Sequence, residues 1–222
     1  MNLERVVEEA YQLYMPQDKY EITELSSFVE EHRSGSISPY NIVEIGTKFG
    51  GTFYIWCCIN RPNFENVEGV NISIDMSDGG IHGGIPDEEM NERDRWFRER
   101  FDNCYFIRGN SHDEQTLEVL ADALGSTWSA NRESLKTNEI DFLFIDGDHT
   151  YEGVLQDFEM YSPLVKRGGI IAFHDINDTQ KHRDRNVYVG KLWDELKDDP
   201  RFTSIEFNSN LDWAGIGVLV VN

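Results

Sequence analysis

The sequence predicts a doubly wound α/β protein. From Tyr40 onward short β-prone runs alternate with amphipathic stretches, glycines punctuate the junctions, and residues 141–145 are almost wholly apolar. Such alternation gives a parallel sheet with helices on both faces, and a continuous apolar strand belongs at the centre of that sheet.

Two helices come first. Leu3, Val6, Val7, Ala10, Leu13 and Tyr14 recur at helical spacing until Pro16 stops them. Ile22, Leu25, Phe28 and Val29 form the second stripe, which closes near Gly35. Strands are expected at 41–45, 70–74, 104–108, 141–145, 170–173, 202–207 and 215–221. The intervening helices are expected at 51–60, 88–101, 113–124, 151–165 and 187–197. Gly168 and Gly169 are read as the end of the 151–165 helix, whose Tyr151, Val154, Leu155, Phe158, Tyr161, Leu164 and Val165 share one stripe. The last two strands leave no room for a helix between them, which makes the terminal strand antiparallel. We read 1–222 as one domain, with a helical segment at 1–38 and an α/β core at 39–222.

Composition removes several function classes. No window approaches the run of about eighteen apolar residues that a membrane span needs, and the acidic N-terminus is unlike a signal peptide. A cytoplasmic protein is therefore expected. A net charge of -21 repels phosphate backbones, so nucleic acid is not an expected partner. Cys57, Cys58 and Cys104 are an odd count without a Cys-x-x-Cys pair, which argues against a disulfide framework and a zinc knuckle. His32, His82, His112 and His182 lack a partner pattern and are read as surface residues.

Three motifs follow strand ends, where open α/β sheets bind ligands. In Val43-Glu44-Ile45-Gly46-Thr47-Lys48-Phe49-Gly50-Gly51-Thr52 a strand runs through glycines into a helix. Glycines let a ligand approach the backbone, and the helix start offers free N–H groups. The motif is neither a P-loop nor Gly-x-Gly-x-x-Gly, and a tight structural turn is its bland alternative. Asp75 stands after the second strand, where an acid binds a ribose diol in dinucleotide folds, or is a plain loop acid. Met76, Asn110 and Ser111 are candidates for an adenine wall. Third, Ile145-Asp146-Gly147-Asp148-His149-Thr150-Tyr151-Glu152-Gly153 is followed by Gly168-Gly169-Ile170-Ile171-Ala172-Phe173-His174-Asp175. Ionisable groups crowded at neighbouring strand ends repel unless protons or a cation compensate them. The bland alternatives are a strand-end His174 bonded to Asp146, and Asp148 or His149 capping the next helix. The Gly79–Gly84 loop is a lid or a plain loop, residues 176–186 are a second candidate gate, and Tyr188 and Trp193 are expected in the core.

The stretch 40–175 resembles class I S-adenosylmethionine-dependent O-methyltransferases of the cephalosporin-hydroxylase-like and macrolide-sugar group. That resemblance implies a Rossmann-like seven-stranded sheet of order 3-2-1-4-5-7-6, last strand antiparallel. It implies that Glu44, Gly46, Thr47, Gly50 and Gly51 hold the amino-acid end of the cofactor. Asp146 is counted among the cofactor residues and, with His174 and Asp175, as a ligand of a magnesium-like ion. Asp148 is the candidate base for the acceptor hydroxyl, with His149 its rival. His174 departs from the all-oxygen ligand sets of relatives and shifts the preference toward manganese, iron or zinc, or away from a metal. The acceptor implied is a hydroxylated small molecule, and a homo-oligomer is allowed. A metal-dependent hydrolase and a non-catalytic adenosyl-binding protein are the rival readings.

Overall fold

A computed structural model describes residues 1–35, 39–61, 69–77, 84–125, 140–209 and 212–222. Its centre is one sheet of seven strands: β1 (Ile42–Ile45), β2 (Asn71–Asp75), β3 (Cys104–Arg108), β4 (Ile140–Ile145), β5 (Val165–His174), β6 (Phe202–Phe207) and β7 (Ile216–Val221). Their order is β3-β2-β1-β4-β5-β7-β6. β7 runs antiparallel to both β5 and β6, and the remaining pairs are parallel. The chain therefore winds outward in both directions from β1 and β4, the switch point at which such sheets take ligands.

Every residue of β1, β2 and β4 is buried, because helices cover both faces. On one face lie α1 (Leu3–Tyr11), α2 (Lys19–Ser34), α3 (Gly51–Ile59) and α4 (Asp87–Arg98), packed through Val7, Ile22, Leu25, Phe53, Trp56 and Phe97. On the other lie α5 (Glu114–Ala123), α6 (Tyr151–Tyr161) and α8 (Val189–Leu196), packed through Leu117, Leu120, Val154, Phe158, Leu192 and Trp193. The short α7 (Gln180–Asp184) precedes α8. Side-chain caps set several helix starts: Asn2 accepts from Arg5 N, Asp18 from Tyr20 N and Glu21 N, and Thr150 from Gly153 N.

The expected helix 151–165 ends early. Pro163 cannot continue an α-helix, so the chain tightens into a 3-10 turn at Ser162–Leu164 and enters β5 at Val165. Gly168 and Gly169 thus lie inside a strand, not at a helix end. The pairing with β4 shifts there, between Ile140 and Phe142, and Gly168 takes a φ of +78 in that bulge. Residues 79–83 of the glycine-rich loop, with His82, and the polar stretch 126–138 lie outside the described residues.

Candidate active site

β1 and β4 end side by side, Ile45 opposite Ile145, so the two residues that follow, Gly46 and Asp146, meet at the switch point. Gly46 has a φ of +89, and a Cβ there would lie 2.1 Å from the Asp146 carbonyl oxygen. No other residue fits this turn without moving one strand end. The turn opens a cleft of about 240 Å³. Gly46, Thr47, Gly51, Asp75, Met76 and Ser111 line one part of it, and Asp146, Asp148, His149, His174, Asp175 and Trp213 another.

Three of the expected cofactor residues do not line this wall. Glu44 is fully buried in β1 and its carboxyl oxygen accepts from Thr52 Oγ1 at 2.9 Å. Burial pushes its pKa up to about 8, so it is largely protonated at neutral pH. Gly50 caps α3 and packs on the Phe97 ring. The Asn110 side chain accepts from the His112 backbone N–H, forming a local turn.

Two charged clusters flank the cleft. In the first, Asp75 Oδ2 pairs with Arg93 Nη1 at 2.8 Å and accepts from Lys48 N at 2.8 Å. Its Oδ1 accepts from Met76 N at 2.9 Å. Arg93 also binds Asp94, which in turn binds Arg108 at 2.6 Å. Arg93 and Asp94 were hidden in plain view. Met90, Arg93, Asp94 and Phe97 share the buried stripe of α4, and charges at stripe positions are the signal of a buried pair.

The second cluster gathers Asp146, His149, His174, Asp175 and His182. His174 Nδ1 lies 3.2 Å from Asp146 Oδ1 and 3.4 Å from Asp175 Oδ1. His149 Nε2 lies 3.4 Å from Asp146 Oδ1 and 3.7 Å from Asp175 Oδ2. His182, expected on the surface, is buried; its Nε2 lies 3.5 Å from Asp175 Oδ1, and its Nδ1 bonds the Asn177 carbonyl. Burial opposes a charge on His174, but Asp175 and Asp146 outweigh it and lift the imidazole from 6.5 to about 10. Burial would likewise raise Asp175, yet His174, His182 and His149 hold its carboxyl well below the usual range. Asp175 also has a φ of +64, a strained conformation of the kind found at functional sites.

Asp146, His149 and His174 can each offer a ligand atom within 4.8 Å of the others. His174 Nε2, the ring nitrogen turned away from Asp146 Oδ1, is buried without a hydrogen-bond partner among the described residues. One carboxylate and two imidazoles form a mixed nitrogen–oxygen set, better suited to manganese, iron or zinc than to magnesium. His149 thus joins Asp146 and His174 in the set, and Asp175 pairs with its imidazoles. The residue capping α6 is Thr150, not Asp148 or His149. Asp148 Oδ1 accepts from Thr150 N at 2.9 Å, and the side chain packs over Gly153. Of the other histidines read as surface residues, His112 reaches the fully buried Asp157 at 3.3 Å, and His32 is held between Tyr40 Oη and the Gly168 carbonyl.

Sequence reasoning missed Gln17, in the α1–α2 linker, and Trp213, between β6 and β7; both line the cleft. Gln17 Nε2 donates to Asp146 Oδ2 at 2.7 Å. Trp213 packs against His182, ring centroids 5.1 Å apart. Neither has a local pattern that marks it, because each is brought in by tertiary packing.

Known proteins resemble the chain as follows. The protein R132 of Acanthamoeba polyphaga mimivirus is 32% identical over 61% of this chain and 51% of its own length. The protein y4gI of Sinorhizobium fredii is 24% identical over 72% of this chain and 15% of its own. The chain thus spans about half the length of the first of these relatives and 15% of the second. Among solved structures, the O-methyltransferase TomG of Streptomyces achromogenes, in complex with S-adenosylmethionine, superposes with a TM-score of 0.62 at 14% identity. That match covers 99% of this chain and 89% of TomG. The methyltransferase MycE of the mycinamycin pathway, in complex with Mg, S-adenosylhomocysteine and mycinamycin VI, gives 0.60 at 14% identity, over 100% of this chain and 55% of MycE. These likenesses establish a shared fold. Residues 43–176, from the first strand through the second charged cluster, match the family model described as a methyltransferase domain, and the chain belongs to that family.

Proposed function

We propose that this methyltransferase transfers the methyl group of S-adenosylmethionine to a hydroxyl of a small molecule, with a divalent ion held by Asp146, His149 and His174. The observation that carries this reading is the junction of the Gly46 turn with the carboxylate–imidazole cluster in one cleft. Gly46, Thr47 and Gly51 offer backbone to the amino-acid end of the cofactor, and the missing Cβ at Gly46 lets the β1 turn lie directly against the Asp146 backbone, which brings the two halves of the cleft together. Asp75, held by Arg93 and two backbone N–H groups, is set to accept from the ribose diol, with Met76 beside the base. The negative charge of Asp146 and Asp148 suits a sulfonium.

In the transfer the sulfonium C–S bond breaks as the O–C bond forms, the hydroxyl proton passes to a carboxylate, and S-adenosylhomocysteine remains. An ion in the cluster would supply a Lewis acid that lowers the pKa of the acceptor hydroxyl. Asp148 is the base we assign, because His149 belongs to the ion's donor set while the Asp148 carboxylate lines the cleft. The α6 start and Thr150 N hold that carboxylate in place. Titratable groups aligned around one reaction centre raise the rate chiefly by positioning. The complexes of TomG with S-adenosylmethionine and of MycE with Mg support the same chemistry by likeness. No helix among the described residues is long and apolar enough to cross a membrane. We take the protein to be a cytoplasmic enzyme of small molecules, with nucleic acid disfavoured by the charge of -21.

Calorimetry with S-adenosylhomocysteine, with and without Mn²⁺, tests the reading, together with tritiated methyl transfer to a panel of hydroxylated compounds. Micromolar binding is expected, as is transfer that a chelator stops. Asp148→Asn should keep cofactor affinity and lose about 100-fold or more in turnover. Wild-type turnover in that variant would remove Asp148 as the base, and no binding of the nucleoside would remove the whole reading.

A further inference from the structure

We propose that Gln17 is a positioning residue for Asp146, and that through it the N-terminal helical segment is part of the ion site; this rests on the ion assigned above. Gln17 lies between α1 and α2 yet is only 5% exposed. Its backbone carbonyl accepts from Tyr11 Oη at 2.7 Å, which fixes the linker. Its carboxamide Nε2 donates to Asp146 Oδ2 at 2.7 Å, across 129 positions of chain.

That bond divides the work of the carboxylate. Oδ2 is occupied by the amide, and Oδ1 is the oxygen that faces His149 Nε2 at 3.4 Å and His174 Nδ1 at 3.2 Å. Rotation of the Asp146 side chain would break the hydrogen bond that the Gln17 carboxamide donates, so Gln17 holds Oδ1 toward the imidazoles. Partners of this kind orient ligands around a metal, and their loss weakens binding although they never touch the ion. A second feature points the same way. Gln17 Oε1 is buried at the cleft wall without a hydrogen-bond partner among the described residues. From that position the carbonyl can accept from a donor on a ligand bound in the cleft, which would offset the cost of about 1–3 kcal/mol that an unsatisfied buried acceptor carries.

The rest of the N-terminal segment does not depend on this amide. Val6, Val7 and Ala10 of α1 and Ile22, Leu25 and Val29 of α2 are core residues, so both helices have apolar anchors that a substitution at Gln17 does not touch. The pair is also specific in chemistry: a leucine fills the volume but donates nothing.

The test compares wild type, Gln17→Leu and Gln17→Asn. Free Mn²⁺ is followed by electron paramagnetic resonance, the visible absorption of bound Co²⁺ reports ligand geometry, and thermal melting checks the fold. Gln17→Leu should weaken Mn²⁺ binding about 10- to 100-fold and alter the Co²⁺ spectrum. Gln17→Asn, one methylene shorter but still a donor, should lie between Gln17→Leu and wild type, and it carries the comparison alone if Gln17→Leu does not fold. A merely structural role would shift melting and leave the Co²⁺ spectrum of the folded protein unchanged. Wild-type Mn²⁺ affinity and spectrum in the variants overturn the inference and leave the ion reading intact. A wild-type protein that ignores millimolar Mn²⁺ overturns both.

Discussion

The two charged clusters beside the cleft solve one problem in opposite ways. Both hold carboxylates out of water beside the strand ends, Asp75 after β2 with Asp94 on α4, and Asp146 after β4 with Asp175 after β5, where an uncompensated charge is costly. Asp75 and Asp94 are answered by Arg93 and Arg108, and a guanidinium is in general a permanent cation. Asp146 and Asp175 are answered by the imidazoles of His149, His174 and His182, and an imidazole is in general an adjustable counter-charge. A permanent counter-charge builds a fixed wall. An adjustable one can give up its proton to an incoming cation, and such exchange is what an ion site requires. On the proposed function, the difference separates acids that would position a ligand from acids that would take part in chemistry.

Removing a partner from the fixed cluster should have the largest effect. Arg93→Met leaves Asp75 and Asp94 buried with one counter-charge fewer, and a loss of about 3–5 kcal/mol in chemical denaturation is expected. A loss below about 1 kcal/mol would mean that water already screens the pair, and the contrast between the clusters would weaken.

Making the adjustable cluster permanent comes next. His174→Arg would neutralise Asp146 and Asp175 from within, so Mn²⁺ binding and methyl transfer should fall at least about 100-fold while S-adenosylhomocysteine still binds. Retained Mn²⁺ affinity in that variant, measured by paramagnetic resonance, would show that the ion does not need this imidazole.

A smaller effect separates the clusters by pH in ion-free protein. The folded pKa of His174, about 10, lies above its ordinary 6.5, so its protonation stabilises the fold fully below 6.5. That contribution is lost as pH rises through 10. The melting temperature without metal should therefore drop by several degrees between pH 7 and 10, and added Mn²⁺ should flatten the profile. A metal-free profile that is flat over this range would contradict the paired state of His174.

The sequence made one side of this contrast far easier to read than the other. Phe142 to Ile145 is a continuous apolar run, and Asp146, Asp148 and His149 follow it directly; the next strand likewise ends in His174 and Asp175. Strand and motif coincide there, so local pattern suffices. Arg93 and Asp94 were legible only as charges on the buried stripe of α4. Gln17, His182 and Trp213 carry no local signal, because long-range packing alone brings them to the cleft. Glu44 shows the converse. Its place in the glycine motif suggested a cofactor contact, but side chains alternate along β1 and this one points to Thr52 of α3. The early end of α6 was written in Pro163, whose effect on the turn outweighs an apolar stripe that runs on to Val165.

Proton release on ion binding tests the contrast most directly. Titration calorimetry of Mn²⁺ at pH 7, run in two buffers of different ionisation enthalpy, should show about one proton released per ion, because His174 must deprotonate to become a ligand. Mn²⁺ that binds without releasing a proton, or does not bind at all, would contradict an exchangeable counter-charge at Asp146 and Asp175.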